Sequence, residues 1–423
     1  MRPGAALLAF WLLAGAAAAQ EPEEAAPTVA PVVRAITFAG NDTTRPKVML
    51  REMVIRPGDP ADPALIERSR QAIQDLGLFR SVEVRQAPVE GGVELTFVVE
   101  EKWYILPIPR LDANSEGENA AGISVRWFNV AGRNHTLRGN WTRRDEEKIN
   151  KGESTSYSLG YSIPFIYDTP YGFGVSAGHR EGPITDFGGY TETVDGGGVA
   201  LSRSFAKGPA SQGWSGSVSL SWNRQNTIGA TAPAPYGEAT LMGLAASYKD
   251  LRYNLYSEDG VAYGAAVAGA TEGIGSDYSF GSIRADFSRY LRVGATPHQN
   301  VNFFARFGSY HGGPTEYQTS AGAYGLGGAS IMRAYPGDFV VGDFYYHFAG
   351  EYLRPIAADW LRGAIVLEAG NAFEDASNMN SRVYTSIGLG LRVRLTFLVN
   401  VEVEAGVAWP LDGGGQRFFA SKV

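Results

Sequence analysis

A regular alternation of side-chain character runs from about residue 120 to the C-terminus of this chain. In the segment SIGLGLRVRL, Ile387 and every second residue up to Leu395 are large and apolar, while glycine or arginine occupies the positions between them. Side chains of a β-strand point alternately to opposite faces, so a period of two predicts strands with one apolar face. A soluble sandwich turns that face inward, whereas a membrane barrel turns it toward lipid.

The composition favours many short strands and turns. The 423 residues include 53 glycines, 21 tyrosines, 21 phenylalanines and 8 tryptophans, which suit turns and strands respectively. Cysteine is absent, which excludes disulfides, thiolate metal sites and the lipid-acceptor cysteine of a bacterial lipoprotein. The net charge of −7 gives no support to nucleic-acid binding.

The N-terminus predicts export from the cytoplasm. Residues 1–19 begin with a positive charge, continue with a short apolar stretch and end in small residues, as a signal peptide cleaved after Ala19 does. Residues 20–31 are acidic and proline-rich, which predicts a flexible leader. No later apolar run reaches the roughly 20 residues of a spanning helix. An exported chain of this kind is either soluble or crosses a membrane as a closed barrel.

Residues 32–101 have a different pattern, which predicts a small α+β domain with the order βααββ. A first helix is expected from Thr44 to about Met53. Asp62 is predicted to cap a second helix that starts at Pro63, because Asp and Pro favour the cap and the first turn. Strands FRSVEVR and GVELTFVVE complete the unit. A domain of roughly 70 residues is marginal alone and is expected to lean on its neighbour.

We predict that residues 102–423 form a transmembrane antiparallel β-barrel of about 16 strands, so that the fold class is mainly β. The alternation marks about fifteen strands, and single-chain bacterial barrels usually have an even count, so one more is expected between Ile184 and Val194. The signal peptide, the aromatic strand ends and the small glycines on one face favour this barrel over a sandwich.

Several segments resemble the BamA/TamA, or bacterial surface antigen, family of outer-membrane barrels. The succession ITFAGN, PGD, LGLFRSVEV and VELTFVVEE in the small domain resembles a POTRA domain, the periplasmic module of such barrels. The segments NVAGRNHTL, GYSIPFIYDTPYGFGVSAG, SYKDLRYNLYSEDG and GGASIMRAYPGDF followed by EYLRPI resemble successive signatures of the barrel. The resemblance implies an outer-membrane barrel with a single POTRA domain in the periplasm.

The resemblance also gives a role to the loop at about residues 312–341. In the family, the loop between barrel strands eleven and twelve folds into the lumen, and an R-G-Y/F motif at its tip contacts inward-facing carboxylates. The matching residues here are Arg333, Ala334 and Tyr335. Ala334 stands in place of the usual glycine, which would strain the tip if the backbone there needs a positive φ.

A guanidinium enclosed by barrel walls needs a carboxylate partner, because an unpaired charge in a partly dehydrated site is costly. Alternation through Ile365 and Leu367 places Glu368 on the opposite, luminal face, so Glu368 is the first candidate partner of Arg333. The family usually has Asp at this position, in a pattern F-x-D-x-G. Glu351, in the segment EYLRP just after the loop, is the second candidate.

Further luminal charge pairs are predicted near the C-terminus. The segment VNVEVEA alternates like SIGLGLRVRL, with its three valines, Val399, Val401 and Val403, on the apolar face. If the hairpin between the two segments turns around Leu398, arginines and glutamates face each other across it. The predicted pairs are Arg394 with Glu402 and Arg392 with Glu404.

We expect an outer-membrane protein assembly, insertion or translocation factor and not an enzyme. The resemblance implies that the POTRA domain receives an unfolded client polypeptide and that the barrel seam and luminal loop take part in gating, with outer-membrane lipid and periplasmic accessory proteins as further partners. The alternative is a gated or passive pore, or a tethering barrel, without insertase activity. The last strand from Gln416 to Val423 is short and lacks the terminal phenylalanine common in the family, which agrees with a labile seam and equally with a degraded family signature.

The sequence predicts no cofactor and no metal site. The five histidines are scattered without the spacing of metal ligands. The segment GVSAG satisfies the hydrolase pattern G-x-S-x-G, but its Ser176 falls within a strand, whereas a nucleophile elbow requires a strand, a sharp turn and a helix.

Overall fold

A 16-stranded antiparallel β-sheet forms most of the molecule, and a small α+β domain precedes it. The computed structural model describes residues 30–113, 119–145, 153–184, 190–229, 236–277, 279–312, 324–337, 339–379, 382–399 and 401–422. The predicted signal peptide and most of the predicted leader lie outside these residues. None of the helices in the described part of the chain combines the length and the apolar character needed to cross a membrane.

The small domain consists of a three-stranded sheet covered by two helices. Its elements are β1 (Val33–Ala39), α1 (Pro46–Leu50), α2 (Pro63–Gln74), β2 (Phe79–Val89) and β3 (Gly92–Glu101). The sheet order is β1-β3-β2, with β1 parallel and β2 antiparallel to the central strand. The predicted βααββ order is therefore confirmed.

Local chemistry explains where the two helices begin. The carboxylate of Asp62 accepts a hydrogen bond from the backbone N–H of Ala64 at 2.8 Å, and Pro63 occupies the first turn of α2. Helix α1 is shorter than predicted and begins only at Pro46. The preceding backbone N–H of Thr44 instead donates to Glu101 at 2.6 Å, which ties this segment to the end of β3.

Sixteen strands form the large sheet, and each pairs antiparallel with the next. They are β4 (Ile105–Ala113), β5 (Asn119–Val130), β6 (His135–Asp145), β7 (Glu153–Ile163), β8 (Tyr171–Ile184), β9 (Tyr190–Ser204), β10 (Gly213–Ile228), β11 (Tyr236–Asn254), β12 (Ser257–Ala270), β13 (Phe280–Arg292), β14 (Asn300–Gly312), β17 (Phe344–Ala358), β18 (Leu361–Phe373), β19 (Tyr384–Arg394), β20 (Glu402–Pro410) and β21 (Arg417–Lys422). Short strands β15 (Tyr324–Leu326) and β16 (Val340–Gly342) pair separately. The predicted number of barrel strands is confirmed. The region between Ile184 and Val194 holds no separate strand among the described residues, because it spans the end of β8 and the start of β9.

The two faces of the sheet differ as a membrane barrel requires. On β19, Leu389 and Leu391 are half exposed on the outer face, whereas Arg392 and Arg394 are buried on the inner face. The alternation stops at the hairpin that follows. Val399 and Val401 were expected on the lipid-facing side, but both are buried.

The reason is that the chain turns after β19, where the N–H of Leu398 donates to the carbonyl of Leu395 at 3.1 Å and the N–H of Leu395 donates to the carbonyl of Val401 at 3.0 Å. The chain folds under the barrel there instead of continuing as a strand. Val399 joins the apolar core of the small domain, together with Tyr104 and Phe128 at the base of the barrel. The small domain and the barrel therefore share one hydrophobic core.

Candidate functional site

The luminal loop is the segment of residues 313–343 between β14 and β17. Within its described part, the short strands β15 and β16 pair antiparallel and hold the two ends of the tip together. Gly327 has a φ of 121°, and a Cβ at this position would lie 1.8 Å from the carbonyl oxygen of Pro336, so only glycine fits. The N–H of Gly328 donates to the carbonyl of Tyr335 at 3.1 Å. The tip of the loop is thus a closed turn.

Two backbone N–H groups at the tip of the loop bind one carboxylate of the barrel wall. The N–H groups of Met332 and Arg333 donate to the two oxygens of Glu368 at 2.9 and 2.8 Å. Met332 adopts a left-handed φ of 55°, whereas Ala334 does not have a positive φ. The strain expected at Ala334 therefore lies at Met332, and Ala334, 3% exposed, fits a tightly enclosed position.

The guanidinium of Arg333 contacts both predicted carboxylates. Nη1 donates to Glu368 Oε1 and Nη2 donates to Glu351 Oε1, each at 3.0 Å. A third carboxylate, Glu404, lies 3.7 Å from Nη2. Arg333 is 6% exposed, so these contacts are shielded from solvent and lose little strength to screening. The loop is held by one cation placed among three anions.

The predicted pairs on the last hairpin lie in register and face the interior. Arg392 pairs with Glu404 and Arg394 with Glu402 across β19 and β20. Arg392 donates to Glu404 at 3.0 Å and makes two further bonds of 2.9 Å to Glu351, the carboxylate that also binds Arg333. The arginine of the loop and the arginine of the wall therefore share a carboxylate, which joins the pairs into one network.

Other members of this network were not predicted. Arg362 binds Glu402, His347 Nε2 lies 3.4 Å from Glu368, and Glu258 binds Arg394 at 2.8 Å. These side chains border a cavity of about 420 Å³ beside the loop. Arg362 and Glu368 lie in the same phase of β18, so the alternation alone contained the signal for Arg362.

The sheet has an open seam between its first and last strands. The strand order begins with β21 and ends with β4, and no backbone pairing joins these two strands within the described residues. Strand β21 pairs with β20 over six residues. At the base of the seam, the N–H of Trp103 donates to the carbonyl of Phe397 at 2.9 Å. Beyond that contact, no strand pairing joins β4 and β21 in the described part of the chain.

Two prolines remove backbone hydrogen-bond donors from the β4 side of the seam. The N–H of Phe128 donates to the carbonyl of Tyr104, so these residues form a hydrogen-bonded pair of the antiparallel ladder. Such pairs alternate along β4, which turns the backbone groups of residues 105, 107 and 109 away from β5 and toward the seam. Pro107 and Pro109 have no N–H. The seam edge of β4 therefore lacks two hydrogen-bond donors.

Comparison with known families agrees with this architecture. Residues 31–102 match the POTRA model, described as a surface antigen variable number repeat. Residues 129–412, more than half of the chain, match the Omp85 superfamily domain. The chain belongs to the Omp85 superfamily. The predicted resemblance to barrels with a single POTRA domain is thereby confirmed.

Solved structures show the same fold as this Omp85 protein. BamA from Haemophilus ducreyi lacking POTRA domains 1–3 superposes with a TM-score of 0.55 at 14% identity, covering 93% of this chain and 84% of that one. CdiB from Escherichia coli gives 0.59 at 13% identity over 93% and 75% of the two chains. CdiB from Acinetobacter baumannii gives 0.57 at 12% identity over 90% and 70%. A search of curated protein sequences found no significant match.

The POTRA domain of this Omp85 protein is joined to the first barrel hairpin by a buried polar network. Asn129 Nδ2 donates to Thr44 Oγ1 at 2.8 Å, and that hydroxyl lies 3.0 Å from the hydroxyl of Tyr104. The turn after β5 is left-handed at Asn129, Ala131, Gly132 and Asn134. A Cβ at Gly132 would lie 1.9 Å from the carbonyl oxygen of Thr43, which shows how closely the turn approaches the domain.

Two carboxylates of the POTRA domain bind backbone N–H groups of the barrel, one in strand β11 and one in the turn between β9 and β10. Asp75, at the end of α2, accepts from the N–H of Tyr253 at 2.7 Å, and Glu52 accepts from the N–H of Ser211 at 2.8 Å. Burial raises the pKa of Asp75 to about 6, although these hydrogen bonds oppose the shift. Burial likewise raises the pKa of Glu52.

The serine of the G-x-S-x-G segment does not lie on a nucleophile elbow. Ser176 lies inside β8, opposite Gly160 on one side and Gly198 on the other, and no helix follows it. No cluster of three or more His, Asp and Glu side chains in the described ranges is suited to hold a metal ion. The luminal network described above consists of ion pairs and hydrogen bonds.

Proposed function

We propose that this protein inserts or translocates client polypeptides at the outer membrane, with its POTRA domain in the periplasm. Membership of the Omp85 superfamily supports insertion or translocation of proteins as the family-level role and the outer membrane as the location. The observation that carries the proposal for this chain is the open seam between β4 and β21. Because no described backbone pairing holds these two strands together, the wall can separate there at lower cost than between any other two strands, as lateral release of a client requires.

The POTRA domain would receive the client by strand addition. In the sheet order β1-β3-β2, strand β2 lies at the edge and pairs only with β3 among the described strands. Its residues 85–89 are exposed. An exposed edge binds an extended chain through main-chain hydrogen bonds and imposes little sequence selectivity. An unfolded client polypeptide fits this edge.

The luminal loop would govern whether the seam opens. Arg333 is bound to carboxylates of β17, β18 and β20, so the seated loop crosslinks most of the C-terminal wall. Breaking a buried ion pair by removing one partner costs about 3–5 kcal/mol. A loop held this firmly keeps the last hairpin in position until another interaction replaces it.

Reconstitution into liposomes tests the proposed function. The purified protein should accelerate insertion of an unfolded outer-membrane barrel into the bilayer, scored by protease resistance of the client. A pore would instead conduct ions without a client and leave the rate of client insertion at the protein-free value. That second result would replace the proposal with the pore.

A reversible seam lock makes the test specific. Because the chain has no cysteine, Ile105→Cys in β4 and Ala420→Cys in β21 introduce the only two thiols. We expect the oxidised variant to lose insertion activity and a reductant to restore it. Each single-cysteine variant is the matched control. The crosslink is verified by a reductant-sensitive shift in gel mobility, and full activity of the crosslinked protein would show that clients do not pass through the seam.

The prolines give an independent test of the seam. Pro107→Val with Pro109→Val supplies two donors to the seam edge of β4, which should favour its pairing with β21 and slow client insertion. Ile108→Val is the control, since the N–H of Ile108 faces β5. Unchanged insertion by the double variant would show that the missing donors do not keep the seam labile.

A further inference from the structure

The last strand carries two consecutive phenylalanines in opposite environments. Phe418 is 78% exposed on the outer face of β21, whereas Phe419 is 6% exposed and points inward. One aromatic ring of the seam strand thus faces outward, and the other is buried inside the barrel.

The inward ring of Phe419 lies over a row of glycines on the neighbouring strands. Phe419 pairs with Gly406 on β20, and Gly406 pairs with Gly390 on β19. A Cβ at Gly406 would meet the tip of the Phe419 ring at 2.8 Å, and one at Gly390 would meet it at 3.5 Å. Gly388 adjoins the same ring. The absence of side chains on two strands therefore makes the space that this ring fills.

The same ring contacts the luminal loop. The guanidinium carbon of Arg333 lies 5.7 Å from the centre of the Phe419 ring, within the range of a cation–π interaction. Phe419 also belongs to an apolar cluster with Met332, Ala334 and Tyr335 of the loop tip. In the family pattern F-x-D-x-G, a phenylalanine stands two positions before the acidic residue. This chain has the aliphatic Val366 at that place. The last strand thus supplies the aromatic ring that meets Arg333.

A second contact joins the loop to the same hairpin. The hydroxyl of Tyr335 donates to Asp412 in the turn between β20 and β21 at 2.6 Å. The loop therefore contacts the last hairpin at its turn and along its final strand. By contrast, β21 has six paired residues on one side and, among described residues, no strand partner on the other.

We propose that Phe419 is a positioning residue that couples the luminal loop to the seam strand. The inference rests on the proposed function and adds the contact through which loop and seam influence each other. While the loop is seated, Arg333 and the glycine row hold Phe419, and Phe419 holds β21 at the wall. If the Phe419 ring moves away, Arg333 loses one contact. If the loop is released, the Phe419 ring loses the residues that cover it on the loop side. Coupling of this kind acts equally in both directions.

Thiol labelling of the loop tests the coupling without any client. Ala334→Cys places the only thiol of the chain at a site that is 3% exposed while the loop is seated. In this background, Phe419→Ala should raise the labelling rate by about tenfold or more, the factor that corresponds to 1.4 kcal/mol in the loop equilibrium. Phe418→Ala, the same change one residue away, should leave the rate unchanged. Equal rates for the two variants would overturn the proposal.

Two further variants separate coupling from simple packing. Phe419→Leu keeps an apolar cover over the glycines but removes the aromatic face, so it should raise loop labelling less than Phe419→Ala does. The effects of Arg333→Met and Phe419→Leu should be non-additive, because the first change removes the cation and the second removes the aromatic face of the same contact. Additive effects would show that Phe419 only packs. Since labelling needs no client, coupling with no insertion activity would refute the proposed function alone.

Discussion

The luminal loop and the POTRA domain are both attached to the barrel through buried carboxylates, but the partners of those carboxylates differ. In the lumen, Glu351 and Glu368 bind guanidinium groups. At the POTRA junction, Asp75 binds the backbone N–H of Tyr253 and the side-chain amide of Gln71. In the lumen, each carboxylate charge is balanced by an arginine charge. At the POTRA junction, the hydrogen-bond donors to Asp75 are neutral, so burial makes its ionised form unfavourable.

The largest expected effect comes from breaking the charge balance in the lumen. Glu368→Gln leaves Arg333 with one close carboxylate fewer and removes the charge that the tip backbone grips, at a cost of about 3–5 kcal/mol. We expect the loop to become accessible to protease in folded protein. Glu374→Gln, an exposed change at the end of the same strand, is the control. A protected loop in Glu368→Gln would show that neutral hydrogen bonds suffice there too.

The POTRA junction should respond to pH in the opposite sense from a salt-bridged carboxylate. The pKa of Asp75 is raised from its ordinary value of 3.8 to about 6, so docking is most stable below pH 4 and weakens as pH rises toward 6. Above that range the ionised group costs up to about 3 kcal/mol. Asp75→Asn should therefore dock more firmly at pH 7.5 and lose this pH dependence.

Urea unfolding of the POTRA domain in the full-length protein at pH 4.5 and 7.5 measures the effect of Asp75→Asn. Glu90→Gln, at an exposed position of the same domain, is the matched control. If Asp75→Asn destabilised the junction at pH 7.5, the charge would be needed there, and the contrast with the lumen would disappear.

A smaller effect is expected from the neutral part of the junction. Thr44→Val preserves shape but removes the oxygen that accepts from Asn129, and an unsatisfied buried donor costs about 1–3 kcal/mol. Hydrogen exchange at the turn after β5 should become faster. Thr43→Val, the exposed neighbour, should leave exchange unchanged. Unchanged exchange in both variants would limit the attachment of the domain to its carboxylates.

The smallest effect is expected at the start of α2. Asp62→Ala removes the helix cap that accepts from Ala64 and should lower domain stability by about 1 kcal/mol. Because the cap is remote from the barrel contacts of Asp75, the urea midpoint should fall equally at pH 4.5 and 7.5. A pH-dependent loss would mean that the helix start and the junction are one unit.

Strand periodicity allowed much of the lumen to be predicted, because a period of two determines which face a residue occupies. It placed Glu368 opposite the lipid-facing Leu367 and, with a turn near Leu398, brought Arg392 and Glu404 into register. The same rule failed for Val399, which lies where the chain leaves the strand. The family motif directed attention to Ala334, whereas the left-handed residue is Met332, since a motif gives residue identity and not backbone angles.

The POTRA junction could not be predicted in the same way. Thr44 and Asn129 are 85 residues apart and belong to no shared repeat. Their contact depends on the angle at which two folded units meet. The inward direction of Phe419 also escaped prediction, since a six-residue strand beside an open seam offers too short an alternation to separate it from Phe418. Periodicity therefore predicts which face of a strand a residue occupies better than it predicts contacts between separately folded units.

The prolines of β4 have a consequence for the surrounding bilayer. The carbonyl groups of Pro107 and Pro109 face the seam without a partner strand among the described residues. Hydrocarbon offers such groups no hydrogen bond, at a cost of several kcal/mol each. We expect water or lipid headgroups to supply the missing hydrogen bonds to these carbonyls. We therefore expect the bilayer to be more disturbed beside β4 than elsewhere around the barrel.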